Sequence, residues 1–210
     1  MDSKQYVIQC LRPNCRFRYL SSIADKKTQQ CIKCGSTTSI IPFFPENRPN
    51  NTGISPYKHH LEILCDNIRS AYNIGAIFRT ADGVGIKHIH LCGITPAPDH
   101  PNVQKTALGA EKYVPWTQSW NALETALQLK NGNHYSVFAL ENSKNSISIF
   151  DIHSEPSGPL LLIIGNEISG IDPELLTMSD IHIHIPMVGS KNSLNVSVAL
   201  GIAAYTLIFR

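Results

Sequence analysis

Apolar residues follow two kinds of pattern in the C-terminal part of the chain. Residues 160–164 form an unbroken apolar run of strand length, which is typical of a central parallel strand covered on both faces. Residues 60–65 and 135–140 predict further strands, whereas the apolar residues of 69–81 recur at helical spacing. Strands that alternate with helices predict an α/β fold with a mainly parallel sheet.

The end of the chain combines a strand, a polar loop and an apolar helix. Polar and apolar residues alternate over 181–185, which predicts a strand with His182 and His184 on one face. Either Ser193 or Asn195 can cap the apolar helix that follows the loop. Ligands of open α/β sheets bind beyond the carboxyl ends of strands, so we expect a site at this loop.

The middle of the chain has less regular patterns of polar and apolar residues, so its elements are harder to predict. Residues 93–116 are rich in proline and polar residues and predict a loop, and residues 118–130 predict a short amphipathic helix. Gly83 and Gly85 follow a helix, and His88 stands where a dinucleotide fingerprint needs its third glycine. This spacing disfavours a nucleotide-dependent dehydrogenase.

Four cysteines near the N-terminus form two closely spaced pairs. Cys10 and Cys15 enclose four residues, Cys31 and Cys34 enclose two, and fifteen residues separate the pairs. Such pairs bring two thiolates to one tight turn, so we predict a zinc ribbon in which all four sulfurs bind one Zn²⁺. Two disulfides are the competing interpretation, although a reducing compartment disfavours them. Four protein thiolates leave no open coordination position, so the expected role of this zinc is structural.

The composition divides the chain into two domains. Its 210 residues, 42% of them hydrophobic, suffice for one good-sized core and a small additional module. Prolines and asparagines are concentrated between the cysteines and the first predicted strand of the larger part. We predict a zinc-ribbon domain over residues 1–45, a linker over 46–58 and a larger domain over 59–210.

Charge is divided unevenly between the two parts. Residues 1–50 contain eight Lys and Arg against three Asp and Glu, a formal charge of +5, whereas residues 51–210 contain ten against thirteen, or −3. This asymmetry indicates that the small domain contacts a polyanion, with a merely solubilising basic surface as the alternative. Phe17 and Tyr19 suit stacking on bases, and they equally suit the small core of a ribbon.

No segment has the sequence of a membrane helix or a signal peptide. Apolar runs fall short of the roughly 18 residues that a spanning helix needs. The first residues lack the apolar centre of a signal peptide. We therefore expect a soluble cytoplasmic protein.

Three groups of residues in the larger domain share an order with known signatures. Residues 73–81 read NIGAIFRTA and are followed by Gly85, and residues 165–171 read GNEISGI. The third group combines IPM at 185–187 with SLNVS at 193–197. In this order they resemble the three signatures of the SpoU (TrmH-like) RNA ribose methyltransferases of the SPOUT superfamily.

The resemblance implies a fold, a cofactor and a reaction. The fold includes a C-terminal trefoil (α/β) knot, and the expected assembly is a homodimer. The cofactor is S-adenosylmethionine, whose methyl group is transferred to a ribose 2′-hydroxyl of tRNA or rRNA. The cofactor contacts that the resemblance implies are Leu140, Gly165, Ile185, Ser193 and Leu194. None of these side chains is ionisable, which suits recognition of adenine and sulfonium through amides and apolar walls.

The resemblance also implies catalytic roles. Arg79 corresponds to the family's catalytic arginine, and Asn73, Ser193 and Asn195 are expected to orient Arg79 and the ribose. Because guanidinium stays protonated, we favour stabilisation of the developing alkoxide by Arg79 over phosphate-assisted proton transfer. Glu167 is a possible general base, but its place beside a helix start and the family's pattern favour a role in organising the site.

Two classes of function remain. The joint presence of the five catalytic candidates favours the enzyme over a non-catalytic RNA-binding or ribosome-assembly factor that retains the fold. The ribbon can bind either RNA or a protein partner. Lys105 and Lys112 suit phosphate binding and equally suit ordinary solvated positions, and His100 is interpreted as a surface residue of the predicted loop.

Overall fold

A computed structural model of the protein describes residues 5–22, 29–42, 60–153 and 158–209. The chain divides into two compact units, Met1–Ile54 and Ser55–Arg210. The linker predicted over 46–58 lies outside the described residues.

The N-terminal unit contains a small antiparallel sheet. Its strands are β1 (Gln5–Cys10), β2 (Arg18–Ser22) and β3 (Thr38–Pro42), in the order β2-β1-β3. Ile8 of β1 pairs with Tyr19 and Ile40 on the flanking strands and is fully buried. A core this small supplies little hydrophobic stabilisation, so a cross-link such as a metal site is expected to hold the unit together.

The larger unit is built on one seven-stranded sheet in the order β6-β5-β4-β9-β7-β10-β8. Neighbouring strands of this sheet pair in parallel. The strands are β4 (Leu61–Asp66), β5 (His88–Cys92), β6 (Trp116–Ser119), β7 (Ser136–Leu140), β8 (Ile147–Ser148), β9 (Leu160–Ile164) and β10 (Ile181–His184). The helices are α1 (Ala71–Val84), α2 (Pro101–Ala107), α3 (Ala122–Asn133), α4 (Pro173–Met178) and α5 (Val196–Ile208). The prediction of an α/β fold with a mainly parallel sheet is confirmed.

The apolar run of β9 explains how the layers are arranged. β9 lies between β4 and β7, and all five of its residues are buried. Leu162 packs into a core with residues of α1 and α5, whereas Leu161 and Ile163 pack into a second core with residues of α3 and α4. Because successive side chains of a strand point to opposite faces, a strand covered by helices on both sides needs apolar residues throughout.

The loop predicted over 93–116 is wrong in part, because α2, a 3₁₀ segment at Ala110–Lys112 and the start of β6 lie within it. His100 caps α2 by accepting a hydrogen bond from the amide of Asn102 at 3.1 Å, and Pro101 occupies the first turn. α2 packs closely on α1, since a Cβ added to Gly75 would lie 2.5 Å from the carbonyl oxygen of Val103. Lys105 and Lys112 are exposed.

The helix predicted over 118–130 begins later, at Ala122. Asn121 caps it by accepting a hydrogen bond from the amide of Glu124 at 3.0 Å, while residues 116–119 are committed to pairing with β5. Gly85 follows α1 and ends it in the left-handed conformation, with φ 81°, whereas Gly83, which was also expected to follow the helix, lies in its last turn. The trefoil knot stays a prediction.

The sequence predicts that no helix spans a membrane, and the lengths of the helices can be compared with this prediction. α5 is the most apolar of the longer helices but has 13 residues, fewer than the roughly 20 that a spanning helix needs. Among the residues that the structure describes, no helix combines the length and the apolar character required to cross a bilayer.

Candidate functional site

A cavity of about 360 Å³ lies at the carboxyl edge of the parallel sheet. Three neighbouring strands, β9, β7 and β10, end beside it at Ile164, Leu140 and His184, which all line the cavity. Its volume falls within the roughly 300–1,000 Å³ of small-molecule sites, and its place is where ligands of open α/β sheets bind.

The cavity brings together residues from both of the predicted sets. Every residue expected to contact the cofactor lines it, namely Leu140, Gly165, Ile185, Ser193 and Leu194. Glu167 and Asn195 of the catalytic set also line it. The loops after three strands and the start of α5 thus converge on one space. The contacts of these residues with a cofactor stay a prediction.

Gly165 shapes the loop that follows β9. Asn166 and Gly170 exchange two backbone hydrogen bonds, each 3.0 Å long, which fold residues 166–170 into a tight turn. A Cβ added to Gly165 would lie 2.4 Å from the carbonyl carbon of Gly170, and Gly170 itself has φ 74°. The turn therefore needs glycine at both positions, and it leaves the backbone at Gly165 facing the cavity.

Glu167 joins this loop to the start of α1. Its carboxylate accepts hydrogen bonds from the amides of Arg69 and Ser70, at 2.9 and 3.1 Å, and from the side-chain amide of Asn73 at 2.8 Å. Partial burial raises the pKa of Glu167, but these hydrogen bonds outweigh it and leave the pKa below its usual value. A carboxylate held in this way is a poor general base, which supports the organising role.

Asn73 also connects α1 to α5. Asn195 donates a hydrogen bond from its side-chain amide to the side-chain carbonyl of Asn73 at 3.0 Å. The other end of Asn195 caps α5 by accepting from the amides of Ser197 and Val198. Of the two caps that the sequence allowed, Ser193 or Asn195, the structure uses Asn195. Glu167, Asn73 and Asn195 thus form one chain of hydrogen bonds that joins all three sequence motifs.

Arg79 is not part of this chain. It lies six positions after Asn73 on α1, about 120° away around the helix. Its side chain is exposed and makes no hydrogen bond or ion pair with any described residue. No direct hydrogen bond joins Asn73, Ser193 or Asn195 to Arg79 among the described residues, and their expected role in orienting Arg79 and the ribose stays a prediction. The side-chain amides of the two asparagines bond to each other, to Glu167 and to α5. Ser193 is exposed at the cavity and has no hydrogen bond to the part of the chain that the structure describes.

Three further cavity residues were missed by the sequence reasoning. Glu141 and Asn142 directly follow β7, and His184 ends β10. The carboxylate of Glu141 accepts a hydrogen bond from the amide of Ile171 at 3.2 Å, which ties the loop after β7 to the loop after β9. Their positions in the sequence could have predicted them, because each lies at the carboxyl end of a predicted strand, where ligands of open α/β sheets bind.

The four N-terminal cysteines converge within the smaller unit. Their sulfurs lie within 4.8 Å of one another, with Cys10 to Cys34 at 3.6 Å and Cys15 to Cys31 at 3.9 Å. A tetrahedral zinc with Zn–S bonds of about 2.3 Å requires sulfurs about 3.8 Å apart, whereas a disulfide requires about 2.05 Å. Hydrogen bonds from the hydroxyl and amide of Ser36 lower the pKa of Cys34 to about 6, whereas burial raises the pKa of Cys10 to about 12, so the assignment rests on the spacing of the sulfurs. The donor set fits Zn²⁺.

Comparisons with known sequences relate the larger unit to one family. The model of the SpoU rRNA Methylase family matches residues 60–205. A tRNA (guanosine(18)-2′-O)-methyltransferase of Aquifex aeolicus is 33% identical over 145 residues, which are 69% of this chain and 67% of that protein. A 23S rRNA (guanosine-2′-O-)-methyltransferase of Pectobacterium atrosepticum is 30% identical over 146 residues, 70% of this chain and 58% of that protein.

A solved structure of an rRNA methyltransferase has a similar fold. The AdoMet-bound rRNA methyltransferase from Sinorhizobium meliloti superimposes with a TM-score of 0.66 and 25% identity, over 82% of this chain and 63% of that chain. This chain therefore spans about three fifths to two thirds of the length of these relatives. Since the family match covers residues 60–205 and the motifs converge in one site, the chain belongs to the SpoU rRNA methylase family.

Proposed function

We propose that the protein transfers the methyl group of S-adenosylmethionine to a ribose 2′-hydroxyl of tRNA or rRNA. The observation that carries this proposal is the cavity at the carboxyl edge of the sheet, on which all of the expected cofactor residues converge. Relatives named as tRNA and 23S rRNA 2′-O-methyltransferases support the reaction. A related structure described as AdoMet-bound supports the cofactor.

The residues around the cavity fit this cofactor. Ile164, Ile185 and Leu194 offer apolar walls, and Gly165 leaves its backbone open to close approach. S-Adenosylmethionine supplies an already activated methyl group when it is bound. The task left to the protein is to hold the donor and the ribose in line and to exclude water.

Arg79 is the proposed catalytic residue on the RNA side. Its exposed guanidinium has no partner among the described residues, so it is free to bind a phosphate of an incoming RNA. A guanidinium keeps its proton, and its planar fork can hold two oxygens at once. We therefore assign it stabilisation of the negative charge that develops on the ribose oxygen, beside an RNA phosphate.

Glu167, Asn73 and Asn195 have a supporting role in this proposal. Their hydrogen bonds fix the loop after β9 and the starts of α1 and α5 relative to one another. Ser193 lines the cavity two positions before Asn195, and its hydroxyl, which has no partner among the described residues, is assigned to the ribose. These groups thus hold the walls of the cavity in place, while Arg79 is assigned to the RNA.

The N-terminal unit is proposed to be a zinc ribbon that binds RNA phosphates. Its described residues include four cations and no aspartate or glutamate. The cations are Arg12, Arg16, Arg18 and Lys33. Phosphate contacts supply most of the sequence-independent affinity for nucleic acid. A homodimer and a cytoplasmic location belong to the same proposal.

The direct test is methyl transfer by the purified protein. The protein and S-adenosylmethionine labelled in its methyl group are incubated with tRNA and rRNA from a strain that lacks the gene, and nucleosides from the digested RNA are examined by mass spectrometry. We expect label in a 2′-O-methylated nucleoside, and none with Leu194→Asp, which puts a charge into the cavity. Absence of transfer to either RNA, together with retained RNA binding, would favour the assembly factor instead.

A further inference from the structure

His184 is a cavity residue that the proposed reaction does not use. It is the last residue of β10, directly before Ile185, and it is half-buried. His184 lines the cavity next to the loops that hold the proposed cofactor contacts. An imidazole in such a place can donate or accept a hydrogen bond, and which of the two depends on the nitrogen that carries the proton.

The hydrogen bonds of Ser146 determine which ring nitrogen of His184 carries the proton. Its hydroxyl oxygen lies 2.7 Å from the carbonyl oxygen of Ser143, which can only accept, so the single hydroxyl proton is donated there. The same oxygen accepts from the amide of Ser143 at 3.2 Å. It is also 2.9 Å from Nδ1 of His184. With its proton already used, Ser146 can only accept from His184, so Nδ1 of the neutral ring carries the proton.

The neighbouring His182 has the opposite arrangement. Its Nε2 lies 2.8 Å from the carbonyl oxygen of Leu176 and must carry the proton. Its Nδ1 therefore accepts from the hydroxyl of Ser143 at 3.2 Å. Both nitrogens of His182 are used, whereas Nε2 of His184 has no partner within the described ranges and is not sealed inside the protein. His182 is therefore held through both nitrogens, whereas His184, a residue of the cavity lining, keeps an Nε2 lone pair without a partner in the described part of the chain.

We infer that Nε2 of His184 accepts a hydrogen bond from a hydroxyl or amine of the bound cofactor, which makes His184 a binding residue of the site. This inference rests on the proposed function, because it takes S-adenosylmethionine as the occupant. The donor groups of that cofactor are the ribose hydroxyls, the adenine amine and the methionine ammonium. Ser146 is a positioning residue that keeps Nε2 unprotonated.

Substitutions that separate the two nitrogens test the inference. His184→Gln keeps an acceptor near the position of Nε2, whereas His184→Asn keeps only a group near Nδ1, and His184→Phe removes both. We expect calorimetry with S-adenosylhomocysteine to show affinity about tenfold weaker for Asn and Phe, and within about threefold of wild type for Gln. His182→Gln, which retains a donor toward Leu176, is the matched control and should bind like wild type. Thermal melting checks that each variant folds.

Spectroscopy gives a readout that a purely structural role would not change. Nitrogen-15 spectra of the histidine rings should show the proton on Nδ1 of His184 and on Nε2 of His182. Only Nε2 of His184 should shift when S-adenosylhomocysteine binds. Parallel titrations with adenosine and with methionine show which half of the cofactor carries the donor.

The outcomes separate this inference from the proposed function. If wild type binds S-adenosylhomocysteine but His184→Phe binds equally well and Nε2 does not shift, the inference is overturned and the proposed function stands. If wild type binds neither S-adenosylmethionine nor S-adenosylhomocysteine, both fall together.

Discussion

Asn195 donates a hydrogen bond from Nδ2 to Oδ1 of Asn73, 3.0 Å away and 122 positions earlier in the chain. The bond connects the cap of α5 to the first turn of α1. Because Asn73 also donates to Glu167, loss of either asparagine leaves a polar partner without its bond. The three motifs of the family are therefore coupled through side chains rather than only through packing.

Our first prediction is that Asn73 and Asn195 are energetically coupled. Each change to alanine should lower the free energy of unfolding by about 1 kcal/mol, with Asn195→Ala the larger because it also removes a helix cap worth about 0.5–2 kcal/mol. In a double-mutant cycle measured by urea unfolding, the coupling should be about 0.5–1.5 kcal/mol. Asn131→Ala, at an exposed position of α3, serves as the control. Strictly additive effects would contradict the coupling.

Glu62 is the centre of a second network, at the other end of the sheet. Its carboxylate accepts hydrogen bonds from His90 at 2.7 Å, from the hydroxyl of Tyr135 at 2.6 Å and from His60 at 2.7 Å. The side chain of Glu62 is 10% exposed. Burial raises the pKa of Glu62, but the three hydrogen bonds outweigh burial and lower the pKa to about 2 from its usual 4.5.

We predict that this network makes the protein sensitive to acid. Because the pKa of Glu62 is lower in the folded state than in the unfolded state, the ionised carboxylate stabilises the fold above pH 4.5. This contribution to the free energy of unfolding is lost as the pH falls from 4.5 toward 2. The loss should be on the order of 3 kcal/mol. Glu62→Gln should flatten the dependence of the unfolding free energy on pH in this window, whereas Glu124→Gln, an exposed residue of α3, should not. Equal pH dependence in wild type and Glu62→Gln would refute the assignment.

Sequence reasoning succeeded where a local pattern has a direct structural cause. The apolar run of 160–164 predicted a central strand because both faces of β9 are buried. Asn195 was one of two candidate caps because its side chain acts within its own helix turn. α2 was missed because its seven residues carry little periodicity, and its packing depends on Gly75, far away in the chain.

The candidate site, like the fold, could be predicted from the sequence only in part. The resemblance supplied several of the residues that line the cavity, since motif residues keep their places in a fold. It did not supply the partners of Asn73, because Glu167 and Asn195 are 94 and 122 positions away in the chain. Nor did it indicate which nitrogen of His184 carries the proton, because this depends on the hydrogen bond that the hydroxyl of Ser146 donates to Ser143.

The metal site gives the third prediction. Purified protein should contain about one zinc per chain, and Cys31→Ser should remove most of it, because the four sulfurs have the spacing of a tetrahedral site. Cys65 and Cys92 are fully buried in strands of the larger unit, so their change to serine should leave the zinc content unchanged. Elemental analysis measures both. Zinc-free protein prepared without a chelator would contradict the assignment.

The fourth prediction concerns the basic surface of the ribbon. Arg12 and Arg16 are exposed beside the cysteines. Changing both to glutamine should weaken RNA binding and make it less dependent on salt, with the slope reduced by about 0.7–0.9 for each RNA phosphate that an arginine no longer neutralises. Lys87→Gln, an exposed cation of the larger unit, is the control.

Zinc content separates the two roles that these arginines can have. If they only balance the negative charge of the zinc thiolates, the double variant should lose zinc while its RNA affinity per folded molecule stays the same. If they bind phosphate, zinc should stay and affinity should fall. Unchanged RNA binding with full zinc content would instead point to a protein partner for the ribbon.

The last prediction concerns Arg79, whose guanidinium is exposed and makes no bond with any described residue. If it acts only in the transition state, Arg79→Ala should lower the single-turnover rate of methyl transfer about a hundredfold or more, the scale of losing one oxyanion donor. Affinity for S-adenosylmethionine should stay unchanged, because Arg79 does not line the cavity. Lys87→Ala, which removes a cation just before β5 at the opposite edge of the sheet, should retain the wild-type rate.

Arg79→Lys then distinguishes between the two mechanisms. Lysine keeps the charge and loses a proton more readily than arginine, but it lacks the planar fork that holds two oxygens together. Poor rescue at every pH would favour stabilisation of the alkoxide and the adjacent phosphate by the fork. Rescue that grows with pH would favour proton transfer through Arg79, because more of the lysine is then neutral. A wild-type rate in Arg79→Ala would remove Arg79 from the catalytic site, since neither mechanism can operate without the side chain.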